Sequence, residues 1–365
     1  MTTAAQQFAG TVGQRVEGLR VDVLDADLNE LGVLAVSRDQ VPTIVNDVNR
    51  NIARTIEGLQ VPARPRGDQN TSRYYAEDLD TLTMRIAPYW LLGTGEEYEL
   101  GKFLFGDDSA TVWSWGSPRE LMGVDQMVLL DHDLDAAVGY PAGTIISDAL
   151  IEQADLENIG APRRNIEVTR QALSEPIGFA PGRDTRRRVV ESLCALAGYL
   201  PPYFSNAGLL TCISAPDLAA ASPAFKYGYG VGAVIDGSIV TSNDLLNAPN
   251  RYIVIDSAAR DTPITGTFDV PDAAPHSYAN THRRITRTVT LQALGDVAAA
   301  NAAAAAVYQS ESATYSWLQF STPIDPRHDT FDVISFDNVN YRQLQWSIEC
   351  VAGGRMEHDA RGTYS

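Results

Sequence analysis

The closing third of the chain constrains the fold most, because its hydrophobic period changes in a fixed order. The stretch from Asn243 ends in Arg251-Tyr-Ile-Val-Ile255, a run of strand formers. Ile285-Thr-Arg-Thr-Val-Thr-Leu291 then alternates, with Ile285, Val289, Leu291 and Ala293 on one face and Thr286, Thr288, Thr290 and Gln292 on the other. Asp296–Tyr308 holds eight alanines in 13 residues and has the strongest intrinsic helix preference in the chain. Ser321-Thr-Pro-Ile-Asp-Pro-Arg-His-Asp-Thr-Phe-Asp-Val-Ile-Ser-Phe336 reads as strand, Pro-rich turn, strand. In Leu344–Ala352, Leu344, Trp346, Ile348 and Cys350 face one way and Gln345, Ser347 and Glu349 the other. The order predicts a β-barrel with a thin helix laid across it over residues 248–352, followed by a tail at 353–365.

The opening of the chain has the same strand period. Residues 1–15 form a short arm, and Leu19–Leu24 and Leu31–Val36 pair as a hairpin around Asp25-Ala-Asp-Leu-Asn-Glu30. Further strands are expected at Ile52–Leu59, Leu82–Leu92, Tyr98–Gly106, Ala110–Trp115 and Glu120–Leu130, making residues 16–140 a first β-barrel. Residues 141–215 change character. Ile145–Asp155 is an amphipathic helix. Asp184–Gly198 is a better one, with Asp184 as its cap, an apolar stripe through Val189, Leu193 and Cys194, and Gly198 as its stop. With a strand at Asn165–Thr169 and a hairpin at 202–213, this predicts a small α+β domain. The Ala-, Gly- and Tyr-rich residues 216–247 read as a linker. The fold class expected is mainly β: two barrels and a small α+β domain.

Charge narrows the function classes. The 365 residues hold 46 acidic against 28 basic side chains, a formal charge of −18. Such a surface repels phosphate backbones and argues against ordinary nucleic-acid binding, and it equally serves solubility. Cys194, Cys212 and Cys350 lie too far apart to form a metal-ligand pair or a disulfide framework, and Cys194 and Cys350 fall on apolar faces as small core residues. No apolar run is long enough for a membrane span, and the N-terminus lacks the pattern of a signal peptide, so a chain made in a cytoplasm and kept soluble is expected.

Candidate chemistry is sparse. Asp131-His-Asp-Leu-Asp135 is the most tempting cluster for a metal or an acid/base pair, yet neighbours on a strand or turn point apart and no second His lies at ligand spacing. Asp25-Ala-Asp-Leu-Asn29 opens like a calcium loop but has Glu30 and Val36 where Gly and Glu are required, so an acidic hairpin turn is the better account. His276, His282, His328 and His358 are expected in polar loops or near the tail. Arg186-Arg187-Arg188 and Arg283-Arg284 are either solvated or paired with acidic faces of a neighbouring subunit. Trp113, Trp115, Tyr227 and Tyr229 would line a carbohydrate groove if they opened to solvent, although Trp113 and Trp115 on one strand face suit a core or interface. No nucleophile elbow, zinc-protease helix, phosphate loop or Cys-x-x-Cys is present. No catalytic, metal or cofactor site is therefore assigned.

One set of phrases carries a family resemblance: Val21-Asp-Val-Leu-Asp-Ala-Asp-Leu-Asn-Glu-Leu-Gly32, Val41–Thr55, Ile86-Ala-Pro-Tyr-Trp-Leu-Leu92, Tyr98-Glu-Leu-Gly-Lys-Phe-Leu-Phe-Gly106 and Gly139-Tyr-Pro-Ala-Gly-Thr144. With the closing unit, residues 16–352 resemble the minor tail proteins of actinobacterial siphophages, and more broadly the hub family of phage baseplates and tail tips. The resemblance implies a homotrimer in which two barrels per chain make a pseudo-sixfold ring at the virion's tail tip. Its partners would be the hexameric distal tail ring protein, the tape measure protein and other tip proteins, with genomic DNA passing through the lumen unbound. It implies no enzyme activity, cofactor or membrane insertion. Hydrolase modules that family members carry as C-terminal extensions have no counterpart after Ala352. The alternatives are a tail-tip carbohydrate receptor-binding protein and a cell-wall hydrolase acting through Asp131 or His132.

Overall fold

A computed structural model describes residues 16–37, 40–110, 118–218, 220–229, 235, 237–243, 247–256, 263–291, 294–311 and 316–362. The expected arm at 1–15, Trp113 and Trp115 lie outside the described residues. The first part of the chain forms β1 (Val16–Leu24), β2 (Glu30–Leu34), β3 (Thr43–Asp47), β4 (Arg54–Val61), β5 (Arg73–Tyr74), β6 (Arg85–Leu92), β7 (Glu97–Glu99), β8 (Phe103–Ala110) and β9 (Arg119–Asp125). The middle contributes β10 (Val138–Tyr140), α1 (Ile146–Leu156), β11 (Arg164–Ile166), β12 (Ile177–Phe179), α2 (Arg186–Ala197), β13 (Tyr203–Phe204) and β14 (Leu210–Cys212). Next come β15 (Phe225–Tyr227), β16 (Val240–Asn243), β17 (Arg251–Asp256), β18 (Thr265–Asp269), α3 (Tyr278–Thr281), β19 (Thr286–Leu291) and α4 (Val297–Glu311). The chain closes with β20 (Ser316–Pro323), β21 (Val333–Phe336), β22 (Val339–Glu349) and β23 (Arg355–Gly362). The protein is mainly β with smaller α+β parts, as the alternation predicts.

One sheet of 15 strands joins the two ends of the chain, in the order β16-β20-β23-β22-β3-β4-β9-β8-β6-β1-β2-β5 with β7, β15 and β21 as side branches. The joint is the antiparallel pairing of β22 with β3, from Gln345↔Asp47 to Glu349↔Thr43. Strand β3 is not expected from the sequence: Thr43–Asp47 is five residues between Pro42 and an Asp-Val-Asn-Arg-Asn turn, too short for its period to stand out. It is nevertheless what makes the two halves continuous.

Strand β22 serves two cores. Between Gln343 and Gln345 the register against β23 shifts, and Leu344 is the extra residue. Beyond this bulge Trp346, Ile348 and Cys350 enter a core shared with Val21, Ile44, Ile56, Trp90 and Phe103. Before it, Tyr341 joins Phe225, Tyr227, Leu318, Phe320, Ile334 and Phe336 in a second core. Leu344 packs instead against the small cluster of Leu200, Tyr203 and Phe331. The expected alternation holds for Trp346, Ile348 and Cys350, while Leu344 packs into a different cluster at the bulge.

Three boundaries differ from the sequence reading. Residues 251–311 do not share a sheet with 316–352: β18-β17-β19 form their own three-stranded sheet under α4. The stretch 216–247 carries β15, parallel to β21, and β16, antiparallel to β20. The expected tail contains β23, which is hydrogen-bonded to β20 on one side and β22 on the other. Arg355-Met-Glu-His-Asp-Ala-Arg-Gly alternates, but its inward residues Met356, His358 and Ala360 are weak strand formers, so composition conceals the strand.

The α+β unit packs α1 and α2 around Leu150, Val189, Leu193, Leu210 and Cys212. Gly198 ends α2 with φ 72, as expected, whereas the N-cap is Thr185, whose Oγ1 accepts the Arg188 N–H. Asp184 instead accepts the Ala180 N–H at 3.0 Å.

Candidate assembly surface

The loop between β20 and β21, Ile324–Asp332, is the point where the parts of the molecule are fixed to one another. Arg54, buried at the start of β4, donates to Asp329 Oδ1 at 2.8 Å and Thr330 Oγ1 at 2.9 Å, and its guanidinium lies 5.3 Å from the Trp346 ring centroid. Thr330 Oγ1 donates to Asn46 Oδ1 at 3.0 Å. From the α+β unit, the Asn206 backbone N–H donates to the Asp329 carboxylate and its Nδ2 to the His328 carbonyl at 2.8 Å. One carboxylate thus ties the first strands, the closing strands and the α+β unit together. The same unit is held at Gly208, whose φ of 71 and contacts with Lys102 and Gln126 leave no room for a side chain.

Behind this loop lies a buried hydrogen-bonded relay of fixed direction. Gln343 Oε1 accepts from His328 Nδ1 at 2.7 Å, so His328 Nε2 is left to accept the Tyr227 hydroxyl at 2.7 Å. Gln343 Nε2 donates to His358 Nδ1 at 2.8 Å, so His358 Nε2 donates to Thr322 Oγ1 at 2.9 Å. Every polar atom in the relay is satisfied with both imidazoles neutral. Burial pushes His328 down to about 3 and His358 well below its ordinary value.

These positions correct the sequence reading. His328 does lie in a loop, but one that is buried, His358 is an inward residue of β23, and buried Tyr227 is a relay donor rather than part of a sugar platform. Tyr229 is exposed, with its ring edge-on to Phe336. The Asp131–Asp135 cluster is absorbed into structure. His132 Nε2 contacts Glu157 at 3.0 Å and its Nδ1 the Asp133 carbonyl at 3.0 Å, while Asp133 bridges to Thr185. The Asp133 carbonyl and Glu157 together raise the His132 pKa. Arg186 pairs with the same Glu157 and with Gln153, and Arg187 pairs with Glu191. Arg284 pairs with Asp269 at 2.7 Å. These partners of Arg186, Arg187 and Arg284 therefore lie within the chain itself. Asp25 closes its turn by accepting the Asp27 and Asn29 N–H groups at 2.9 Å each, the acidic hairpin turn expected. Cys194, Cys212 and Cys350 are buried free thiols. Among the described residues no group of three His, Cys, Asp or Glu side chains is placed to hold a metal ion, and no helix is long and apolar enough to cross a membrane.

The surface offers strand edges. Among the described residues the long sheet ends at β16 and β5, and the small sheet at β18 and β19. Unpaired edges are templates for pairing with another chain.

No protein-family model matches the chain, and no curated protein matches it. Solved structures do. A tail protein from Neisseria meningitidis MC58 superposes with a TM-score of 0.56 at 13% identity, over 94% of this chain and 96% of its own. The 43 kDa tail protein of prophage MuSo2 from Shewanella oneidensis gives 0.60 at 10% identity, over 94% and 98%. The prophage tail protein gp18 from Listeria monocytogenes EGD-e gives 0.55 at 13% identity, over 95% of each chain. The fold of this chain is that of phage tail proteins along nearly its whole length.

Proposed function

We propose that this chain is a structural, non-enzymatic phage tail protein: a tail-tip hub of the kind found in siphophages, trimeric in the assembled virion. The observation that carries the reading is superposition on three tail proteins over 94–95% of this chain and 95–98% of theirs. Two β regions with separate cores, joined through β3 and β22, supply two docking lobes per chain. Three chains would present six quasi-equivalent lobes, which suits an adaptor between a sixfold tail ring and a threefold tip. The partners are the distal tail ring protein, the tape measure protein and other tip proteins. A net charge of −18 keeps passing DNA from adhering.

The hydrolase alternative is weakened at His132, whose ring is held between Glu157 and the Asp133 carbonyl. The carbohydrate-binding alternative loses Tyr227 to the relay. Immunogold labelling of intact particles with an antibody to this chain tests the proposal. Label confined to one end of the tail is expected; label on the capsid, or none on the particle, overturns it.

A further inference from the structure

Residues 247–311 stand apart in charge. They hold five arginines against six acids, whereas the other 300 residues hold 23 basic and 40 acidic side chains. This lobe is near neutral in a chain that is otherwise strongly acidic.

Its sheet also has an open face. Helix α4 covers the side carrying Tyr252 and Val254, approaching so closely that Gly266 lies against the Ala300 backbone. On the opposite side the pairing registers give two rows across β18, β17 and β19: Thr267–Ile253–Thr288 and Thr265–Ile255–Thr290. The four threonines are exposed and the two isoleucines half-buried. A flat β-branched surface of this kind packs well against a second layer. At one end the row Asp269–Arg251–Thr286 adds charge. Arg251 and Arg284 both bind Asp269 at 2.7 Å, and exposed Arg283 precedes Arg284 in the chain, so two guanidinium groups share one carboxylate and a third arginine lies next in sequence. Beside the face, β19 is hydrogen-bonded only to β17 among the described residues, leaving its outer edge open.

We propose that this threonine–isoleucine face, with its arginine corner and the β19 edge, docks the acidic surface of a second copy of this chain. The inference rests on the assembly reading above and names the surface through which copies meet. The complementary charge is present in the same molecule, since the remainder of the chain carries 17 of the 18 net negative charges. Two such lobes placed face to face would oppose arginine to arginine. The contact is therefore heterologous, lobe to acidic remainder, the arrangement that closes rings.

Sedimentation velocity of the full chain tests this. The wild type is expected to assemble at low salt and to dissociate at about 1 M NaCl, where the screening length falls to ~3 Å. Arg283→Glu with Arg284→Glu, and separately Thr288→Glu, should each weaken assembly about tenfold or more in Kd, while Thr288→Lys should not. All lie on exposed positions, and an unchanged Tm confirms that the variants fold. A wild type that assembles but ignores these changes overturns this face and leaves the tail-protein reading standing. A wild type that stays monomeric at low salt overturns the second copy as occupant. So does retention of duplex DNA that the arginine double variant abolishes. The tail-protein reading itself fails only if particle labelling fails.

Discussion

At the scale of single residues, the chain places its polar groups where they fix geometry. Arg54 is the clearest case: removing its side chain leaves Asp329 with no guanidinium partner beneath Trp346. Arg54→Ala should cost about 3–5 kcal/mol, read as a lowered midpoint in chemical denaturation. Gly266→Ala should also destabilise, by about 1–3 kcal/mol, because its Cβ would stand 2.0 Å from the Ala300 carbonyl carbon and drive α4 off its sheet. The relay predicts a pH dependence. His328 and His358 have folded pKa values below that of an unfolded histidine, so the unfolded chain binds more protons as pH drops below about 6.5. The contribution of these two histidines is fully present above that pH and is lost as pH falls towards about 3. Melting temperatures between pH 4 and 7 should show that decline, and His328→Gln with His358→Gln should flatten it from a lower starting value. Little of this was legible in the sequence. A histidine in Asp-Pro-Arg-His-Asp looks like a loop residue until the strands flanking it bury it. The cluster at Asp131–Asp135, tempting by composition, proved to be a set of local ties.

At the scale of elements, alternation and capping were legible wherever a strand or helix was long. The hairpin β1–β2, the helices α1 and α2 with Gly198 as the stop, and the alanine helix all lie close to their expected places. Short or charged strands escaped. Strand β3 has five residues and β15 three, and each is defined by its partner strand more than by its own period. Strand β23 is the instructive miss, for it looks like a tail and is paired on both sides. Truncation after Gly354 should therefore expose β20 and β22 and yield an insoluble or partly unfolded protein, measured by circular dichroism and solubility. An inert tail would leave both unchanged. The bulge at Leu344 was equally hidden, since one inserted residue shifts the register against β23 without altering the composition.

At the scale of the whole molecule, the mainly β class was legible and the division into lobes was not. Sequence order suggested that 248–352 was one unit, but the chain leaves the sheet after β16, builds the β17–β19 lobe, and returns at β20. Nothing local marks that departure, because the pairing partners of β22 include a strand nearly 300 residues earlier in the chain. The proposed role is that of a phage tail-end protein present as three copies around the DNA path. Cryo-electron microscopy of intact tails containing this chain tests it most directly. The account predicts a ring of three chains at the tail end, with the core around Trp90 and the core around Phe320 alternating as six lobes about the channel. A tail end with this chain in any other copy number, or with only one kind of lobe facing the channel, would contradict it.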